Sequence, residues 1–243
     1  MDKRFCSFPF VFLAATILFT ITARDVEAQS WSQMPGKATE IAASGDSTVS
    51  VWALGEEGKA YKWSEESATW QDYGGEAEVI AVTSDGTPWV VEDQQLYRLR
   101  GQNWQNMPGK AKDIAAGKTV WCIGEDGAVY SWSSEAFEWR GHGGQGEKIA
   151  VTADGRPWVV KGEQIYRMRG QTWQNMPGKA KYIAAGGETV WCVGEDEAVY
   201  KWDEESFTWQ NFGGEADRIG VTSEGVPWVV EDGPSGLQVY RLR

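Results

Sequence analysis

Histidine is nearly absent from this sequence, because His142 is the only one among 243 residues. A nucleophilic triad needs a base oriented by a carboxylate, and no isolated cluster of residues supplies one. His142 also stands where related units carry Tyr73 and Phe212, so it most simply replaces an aromatic ring. Paired carboxylates could still serve a glycosidase, but nearly all of them recur in register, which is typical of a multivalent surface. We therefore expect no enzyme and no cofactor, with a glycosidase as the least favoured alternative.

Basic residues are in short supply. The chain has 23 Lys and Arg against 35 Asp and Glu, which gives a formal net charge of −12. Binding to nucleic acid requires a basic footprint, so a nucleic acid is not expected as a partner. Anionic membranes are disfavoured for the same reason. Neutral glycans, cationic groups and other proteins remain open as partners.

Cysteine is scarce as well, and its placement argues against a disulfide. Cys122 and Cys192 occupy the same place in two related units, where other units carry Ala53 and Val90. A position that accepts these three residue types is typical of a small buried apolar site. Equivalent positions in distant units would also be too far apart for a bridge. The sequence predicts two buried thiols, with pairing between molecules as the alternative.

Long apolar runs are missing except near the start. Lys3 and Arg4 precede an apolar run from Phe8 to Ile21, and the small-residue pattern Val26-Glu27-Ala28 follows. This layout is typical of a secretory signal peptide, and the run is too short to favour a membrane span. We predict a signal peptide at residues 1–28 and a secreted chain from 29, with an uncleaved anchor as the alternative.

What the chain has in abundance is repetition. The phrase WQNMPGKAK stands at 104–112 and again at 173–181, with a looser copy, WSQMPGKAT, at 31–39. Between these copies lies a second version of the unit that carries YGGEA, HGGQG or FGGEA. We call the two versions MPGKA units (the first, third and fifth) and GGEA units (the second, fourth and sixth). A tryptophan heads every unit: Trp31, Trp70, Trp104, Trp139, Trp173 and Trp209.

Each unit predicts four short antiparallel strands. Stretches rich in Val, Ile, Trp and Tyr are separated by turn residues such as Asp85-Gly86 and Asp154-Gly155, which suit tight hairpins. Six such units predict an all-β, six-bladed β-propeller at 29–243, with large aromatic rings filling the wedges between blades. We expect residues 29–33 to pair into the last blade and close the ring. The predicted blades are approximately 36–71, 75–105, 109–140, 144–174, 178–210 and 214–243.

The order W…MPGKA…IA…VW, followed by a strand with tyrosine, resembles the tectonin repeats of fish-egg lectins, a horseshoe-crab lectin and slime-mould and fungal tectonins. The resemblance covers all six units, although the GGEA units depart from the characteristic head. It implies a six-bladed propeller and a secreted sugar-binding protein of innate recognition or egg type. The implied ligands are clustered glycans, including GlcNAc-containing sugars, microbial polysaccharide or lipopolysaccharide. Because tectonin repeats also occur in scaffold proteins, a protein-interaction scaffold without sugar binding is the alternative.

Candidate ligand-binding residues cluster in the MPGKA units, where loops of one propeller face would present apolar, amide and carboxylate groups to a sugar. Each has a structural alternative: a methionine under a turn, a solvated hairpin tip, or a tryptophan of the core. A calcium site would need six or more oxygens, so we expect no metal. The candidates are Met34, Lys37, Asn106, Met107, Lys110, Asn175, Met176, Lys179, Glu56, Glu57, Glu125, Asp126, Glu195, Asp196, Trp63, Trp132 and Trp202.

Paired arginines form a second recurring feature. They alternate with tyrosine and leucine or methionine near the end of each GGEA unit, as Arg98/Arg100, Arg167/Arg169 and Arg241/Arg243. They either extend their charged ends into solvent at a sheet edge or bind an acidic sugar or phosphate. The sequence as a whole predicts a secreted multivalent lectin with three weak, equivalent sites, whose repetition raises avidity for a dense glycan array.

Overall fold

The computed structural model describes residues 30–44, 49–234 and 236–243, and the predicted signal peptide lies outside these ranges. The described residues form strands and turns, without a helix. In this part of the chain, therefore, no helix has the length and apolar character needed to cross a membrane. The predicted all-β class is confirmed.

Short strands follow one another in each unit. The second unit contains four such strands in succession, as the sequence predicts for each unit. The strands are β1 (Trp31–Met34), β2 (Glu40–Ser44), β3 (Ser50–Leu54), β4 (Ala60–Ser64), β5 (Thr69–Asp72), β6 (Val79–Val82), β7 (Pro88–Glu92), β8 (Gln95–Arg100), β9 (Asn103–Ala116), β10 (Val120–Gly124), β11 (Ala128–Ser133), β12 (Glu138–Gln145), β13 (Lys148–Val151), β14 (Pro157–Lys161), β15 (Gln164–Arg169), β16 (Thr172–Gly186), β17 (Thr189–Gly194), β18 (Ala198–Asp203), β19 (Thr208–Glu215), β20 (Arg218–Val221), β21 (Pro227–Gly233) and β22 (Gly236–Leu242).

The strands pair into four antiparallel sheets. Two sheets have four strands, β2-β3-β4-β5 and β1-β22-β21-β20, and two have seven, β6 to β12 and β13 to β19 in chain order. The seven-stranded sheets arise because β9 and β16 continue through the MPGKA phrase, where the sequence predicts a break. In β9, residues 103–110 pair with β8 and residues 111–116 pair with β10. The pairing of β9 with β8 shifts its register between Asn106 and Lys110. This stretch includes Gly109, whose φ of +89° favours glycine.

The first strands of the units lie next to one another at the centre. β2 contacts β6, and contacts then run from β6 to β9, β13, β16 and β20 in turn; β20 contacts β2. They enclose a narrow space of about 60 Å³. It is lined mainly by six isoleucines and the small residues that follow them: Ile41, Ile80, Ile114, Ile149, Ile183 and Ile219.

Aromatic rings pack against one another between successive units. The tryptophan at the second strand of every unit is buried and packs against a ring of the following unit, at 4.4 to 6.2 Å between ring centroids. His142 packs on Trp121 in the same way that Tyr73 packs on Trp52 and Phe212 on Trp191, so its role as a replacement for an aromatic is confirmed. The pairs are Trp52–Tyr73, Trp89–Trp132, Trp121–His142, Trp158–Trp202, Trp191–Phe212 and Trp228–Trp63.

Both thiols of the described residues are free and buried, which confirms the prediction for Cys122 and Cys192. Burial raises the pKa of the Cys122 thiol to about 12. Its thiolate, the reactive form, is therefore rare at neutral pH.

A ring of charged residues, which the sequence analysis missed, lies directly before the six isoleucines. MPGKA units contribute Glu40, Asp113 and Tyr182, while two GGEA units contribute Lys148 and Arg218. Lys148 Nζ lies 3.3 Å from Asp113 Oδ1, and Arg218 Nε lies 3.5 Å from Glu40 Oε2. Both carboxylates are buried, and burial raises the pKa of Glu40 to about 7. The two kinds of unit thus place opposite charges at the centre.

Candidate functional site

The lysine of each MPGKA phrase meets the acidic turn that follows it in the same unit. Lys179 Nζ lies 3.0 Å from Glu195 Oε1 and 3.3 Å from Glu163 Oε2. In the other units the lysine and glutamate are 3.7 Å and 3.8 Å apart, as the pairs Lys37–Glu56 and Lys110–Glu125. All six members of these three pairs are exposed. Two segments that the sequence predicted separately thus form one charged rim in three places.

A tyrosine fixes the second carboxylate of each acidic turn. The hydroxyl groups of Tyr130 and Tyr200 donate to Asp126 and Asp196, both at 2.7 Å, and the Tyr61 hydroxyl donates to Glu57. The hydrogen bond from Tyr200 lowers the pKa of Asp196, which therefore remains an ionised acceptor at neutral pH.

Glycine before each acidic turn makes room for this tyrosine. A Cβ atom at Gly124 would lie 2.8 Å from Tyr130 Cε2, and one at Gly194 would lie 2.9 Å from Tyr200 Cε2. Such distances are shorter than van der Waals contact, so a side chain here would displace the ring. GGEA units carry Glu92, Lys161 and Glu231 at the aligned position.

The head tryptophan of the next unit forms the wall of each cleft. Its indole N–H donates to the proline carbonyl of the MPGKA phrase, at 2.7 Å for Trp139 to Pro108 and 2.8 Å for Trp209 to Pro177. In the fifth unit these elements enclose a cleft of about 500 Å³. It is lined by Gly178, Lys179, Cys192, Gly194, Glu195, Asp196, Tyr200 and Trp209. We call this and its two equivalents the MPGKA clefts.

Two sets of candidate residues are corrected by burial. Met107 and Met176 are 0% and 1% exposed. Each lies in the core at the point where its strand stops pairing with the preceding strand and starts pairing with the following one. Met34 is half-buried against the core of the first unit. The three tryptophans proposed as stacking platforms, Trp63, Trp132 and Trp202, are each 8% exposed and pack on other indoles. None of these three tryptophans presents a free ring face, and the two buried methionines do not reach a ligand.

Other residues have been located or newly found. Asn106 and Asn175 are exposed, but Asn175 does not line the cleft of its unit. The sequence analysis missed Tyr61, Tyr130 and Tyr200, although each stands four residues after the second acidic residue of its turn. The head tryptophans were predicted among the rings that fill the wedges between blades. Recurrence in register was the signal for both, but it does not distinguish a core ring from the wall of a cleft.

The equivalent cleft in a GGEA unit has a smaller volume and different charges. In the fourth unit it measures about 210 Å³ and is lined by Gly144, Gln145, Val159, Lys161, Tyr166 and Trp173. Gln145 replaces the lysine and Lys161 replaces the glycine before the turn, which is also one residue shorter. The tryptophan and tyrosine are kept, whereas the paired lysine and carboxylates are not.

Metal-binding chemistry finds few ligands here. Within residues 30–44, 49–234 and 236–243, no group of three or more His, Cys, Asp or Glu side chains is close enough to hold a metal ion. Lysine and carboxylates in an exposed cleft instead offer hydrogen-bond donors and acceptors beside an aromatic wall.

Part of the chain is similar in sequence to a known protein family. Residues 145–242 match the family model of the tectonin domain. No curated protein sequence matches the chain.

Solved structures share the fold at low sequence identity. The SapL1 lectin in complex with alpha methyl fucoside has a TM-score of 0.59 and 17% identity, over 86% of this chain and 94% of that one. XC5397 from Xanthomonas campestris, a gluconolactonase, has a TM-score of 0.66 and 11% identity, over 88% and 90%. YCF48 bound to D1 peptide has a TM-score of 0.54 and 16% identity, over 89% and 83%. At such identities these neighbours support a propeller-like fold and nothing more specific. Residues 145–242 resemble the tectonin domain, in agreement with the resemblance that the repeats predicted.

Proposed function

We propose that this protein is a secreted lectin that binds clustered glycans through three equivalent clefts. The observation that carries the proposal is the repetition of one set of groups, a lysine, two carboxylates, a tyrosine and a tryptophan, in the three MPGKA units. The tectonin domain and the fold similarity to a lectin solved with a fucoside support the same class of ligand.

The chemistry of the MPGKA clefts suits a sugar. Lys179 can donate to ring or hydroxyl oxygens, while Glu195 and Asp196 accept from hydroxyl groups. Trp209 and Tyr200 offer apolar surface to the C–H face of the ring. The lysine and carboxylates of each cleft are exposed, so we expect a single site to bind weakly, and three sites on one molecule raise the avidity for a dense array by orders of magnitude. Microbial surface polysaccharide, lipopolysaccharide and egg-coat sugars are such arrays.

The proposed architecture is a six-bladed propeller closed by its first strand. Counting the two halves of β9 and of β16 separately gives six groups of four strands. The cycle of contacts among the first strands of the units supports the closed ring. So does the antiparallel pairing of Trp31–Met34 with Val239–Leu242. A variant without residues 29–33 should lose about 10 °C in Tm. Because about 1 kcal/mol shifts the Tm of a domain this size by about 2–4 °C, this corresponds to a loss of about 3–5 kcal/mol in stability. An unchanged Tm would contradict closure.

Secretion rests on the sequence of residues 1–28. We propose that this segment is removed and that the mature chain starts near Gln29. Expression in secreting cells, followed by amino-terminal sequencing of protein from the medium, tests this directly. Retention of the intact chain in the membrane fraction would favour an anchor instead.

Glycan binding is tested with the mature chain on a broad array that includes fucosides, GlcNAc-containing glycans and lipopolysaccharide. We expect retention on a subset of glycans and its inhibition by the matching free sugar. Failure across the whole array would contradict the proposal and favour a protein-interaction scaffold. Release of sugar from the array, followed by mass spectrometry, would instead indicate a hydrolase.

A further inference from the structure

A second set of clefts lies at the other end of the strands. The MPGKA clefts adjoin the turn between the second and third strands of a unit. In an antiparallel sheet, the turn before the second strand and the turn after the third strand lie at the opposite end of the strands. There, an arginine of each GGEA unit covers the second-strand tryptophan of its own unit, at 5.2 to 5.6 Å from the ring centroid. We call these the arginine clefts, after Arg98, Arg167 and Arg241.

Two of the three arginines are neutralised by a carboxylate of the next unit. Arg167 is 4% exposed, and its Nη1 donates to both carboxylate oxygens of Glu204, at 2.7 Å and 2.8 Å. Arg241 Nη1 lies 3.0 Å from Glu65 Oε1. These two arginines are therefore not simply extended into solvent at a sheet edge.

The third arginine has no such partner. At the position of Glu65 and Glu204 the third unit carries Ser134, and Arg98 donates instead to the amide oxygen of Gln105 at 3.2 Å. Among the described residues, no carboxylate lies within ion-pair distance of Arg98. Its guanidinium faces a cleft of about 220 Å³.

The charge of this cleft is positive, in a chain with a net charge of −12. Lys118 lines it beside Arg98, whereas the aligned residue of the fifth unit is Glu188. Asp85 is its only lining carboxylate, and the hydroxyl of Thr83 and the backbone N–H of Thr87 already donate to it. Two cations thus face one carboxylate, which is occupied by its own turn.

Aromatic surface borders the same cleft. Phe137 is 56% exposed and packs edge-on against Trp132, a lining residue, at 5.0 Å. Its φ of +55° lies in the left-handed region, which bulky residues rarely adopt. Phe207, at the aligned place beside Arg167, is also exposed and has a φ of +56°. Ala68 at the aligned place of the first unit has a φ of +50°, so this conformation belongs to the turn, and two of the three units place an exposed ring there.

The geometry points to a binding site at Arg98 for a carboxylate or sulfate group carried on a small ring, such as an acidic sugar. The guanidinium of Arg98 offers paired N–H donors that match the oxygens of such a group. Lys118 adds a second charge, and the hydroxyl of Thr119 adds a donor. Phe137, which packs on Trp132 beside the cleft, supplies an exposed apolar surface. In the other two arginine clefts the equivalent guanidinium is already paired with Glu204 or Glu65.

Titration calorimetry of the full mature chain tests this site. Glucuronate and inorganic sulfate are the probes, glucose is the neutral control, and sodium chloride keeps the ionic strength constant. We expect one glucuronate per chain and no heat with glucose. Sulfate binding with equal affinity would assign recognition to the oxyanion, and weaker sulfate binding would assign part of it to the ring. An absence of both glucuronate and sulfate binding would overturn the proposal.

Variants separate charge from shape. Ser134→Glu recreates the pair seen at Arg167 and should weaken glucuronate binding at least tenfold, whereas Ser134→Ala should keep it within about threefold. Arg98→Gln should lose binding, with a thermal melt to establish that the variant folds. Unchanged binding by Ser134→Glu or by Arg98→Gln would overturn the assignment. Retention of neutral glycans should be unaffected in all three variants, so this site can fail without the MPGKA clefts failing.

Discussion

MPGKA and GGEA units share their packing and differ in their exposed and central residues. Both kinds bury a second-strand tryptophan between sheets, and both set a head tryptophan against a glycine of positive φ. They differ at the acidic turn. Lys161 of a GGEA unit occupies the aligned position of Gly194 in an MPGKA unit, where Glu195 follows the glycine. They also supply opposite charges to the central ring. The comparison teaches that the scaffold keeps the second-strand and head tryptophans in every unit and tolerates divergence at other positions.

The largest effect should come from breaking what the two kinds of unit share. Trp158→Ala in a GGEA unit and Trp191→Ala in an MPGKA unit each remove a buried ring. Each should lower the free energy of unfolding by about 3–5 kcal/mol, because the cavity cannot fully collapse. Urea unfolding of the two variants measures this loss. If only one kind of unit tolerated the change, the shared scaffold would be wrong.

The central ring, in which the two kinds of unit differ, should give a dependence of stability on pH. The pKa of Glu40 is about 7 in the fold against a usual value of 4.5, chiefly through burial. The folded state therefore binds this proton more tightly. The contribution of Glu40 to stability should be greatest below pH 4.5 and fall by up to about 3 kcal/mol as the pH rises to 7.

Chemical unfolding at pH 5 and pH 8 in wild type and Glu40→Gln measures that dependence. The variant should lose the part of it that Glu40 contributes. An identical pH profile in both proteins would show that Glu40 titrates equally in the folded and unfolded chain.

A smaller effect is expected from converting one kind of cleft into the other. Gly194→Lys copies Lys161 and should displace Tyr200 from Asp196, at a cost of about 1–2 kcal/mol. The fifth unit should then stop contributing to glycan retention on a polysaccharide column. Lys161→Gly, the reverse change in the fourth unit, serves as the control and should leave retention unchanged. Equal retention by Gly194→Lys would contradict a role for this cleft.

Much of the fold could be predicted because repetition displays the same packing solution six times. Strands of the second unit, the aromatic pairs and the buried thiols all followed from register. The continuous course of β9 through Met107-Pro108-Gly109 did not, since proline and glycine also favour turns. Burial of Met107 and Trp132 could not be distinguished from exposure by recurrence alone. The ring of Glu40, Asp113, Lys148 and Arg218 could not be predicted from repetition, because its residues differ from unit to unit.

The central claim is that the three MPGKA clefts bind glycan together. A series that replaces Lys37, Lys110 and Lys179 by alanine, singly and then in combination, tests it on bead-bound polysaccharide retained by the wild type. These lysines are exposed, so each change should alter stability by less than about 0.5 kcal/mol. The matched series replaces Glu76, Gln145 and Glu215, the aligned residues of the GGEA units. We predict that retention falls steeply with each lysine removed and is lost in the triple variant, while the matched triple variant binds like wild type. Equal retention by both triple variants would contradict the account.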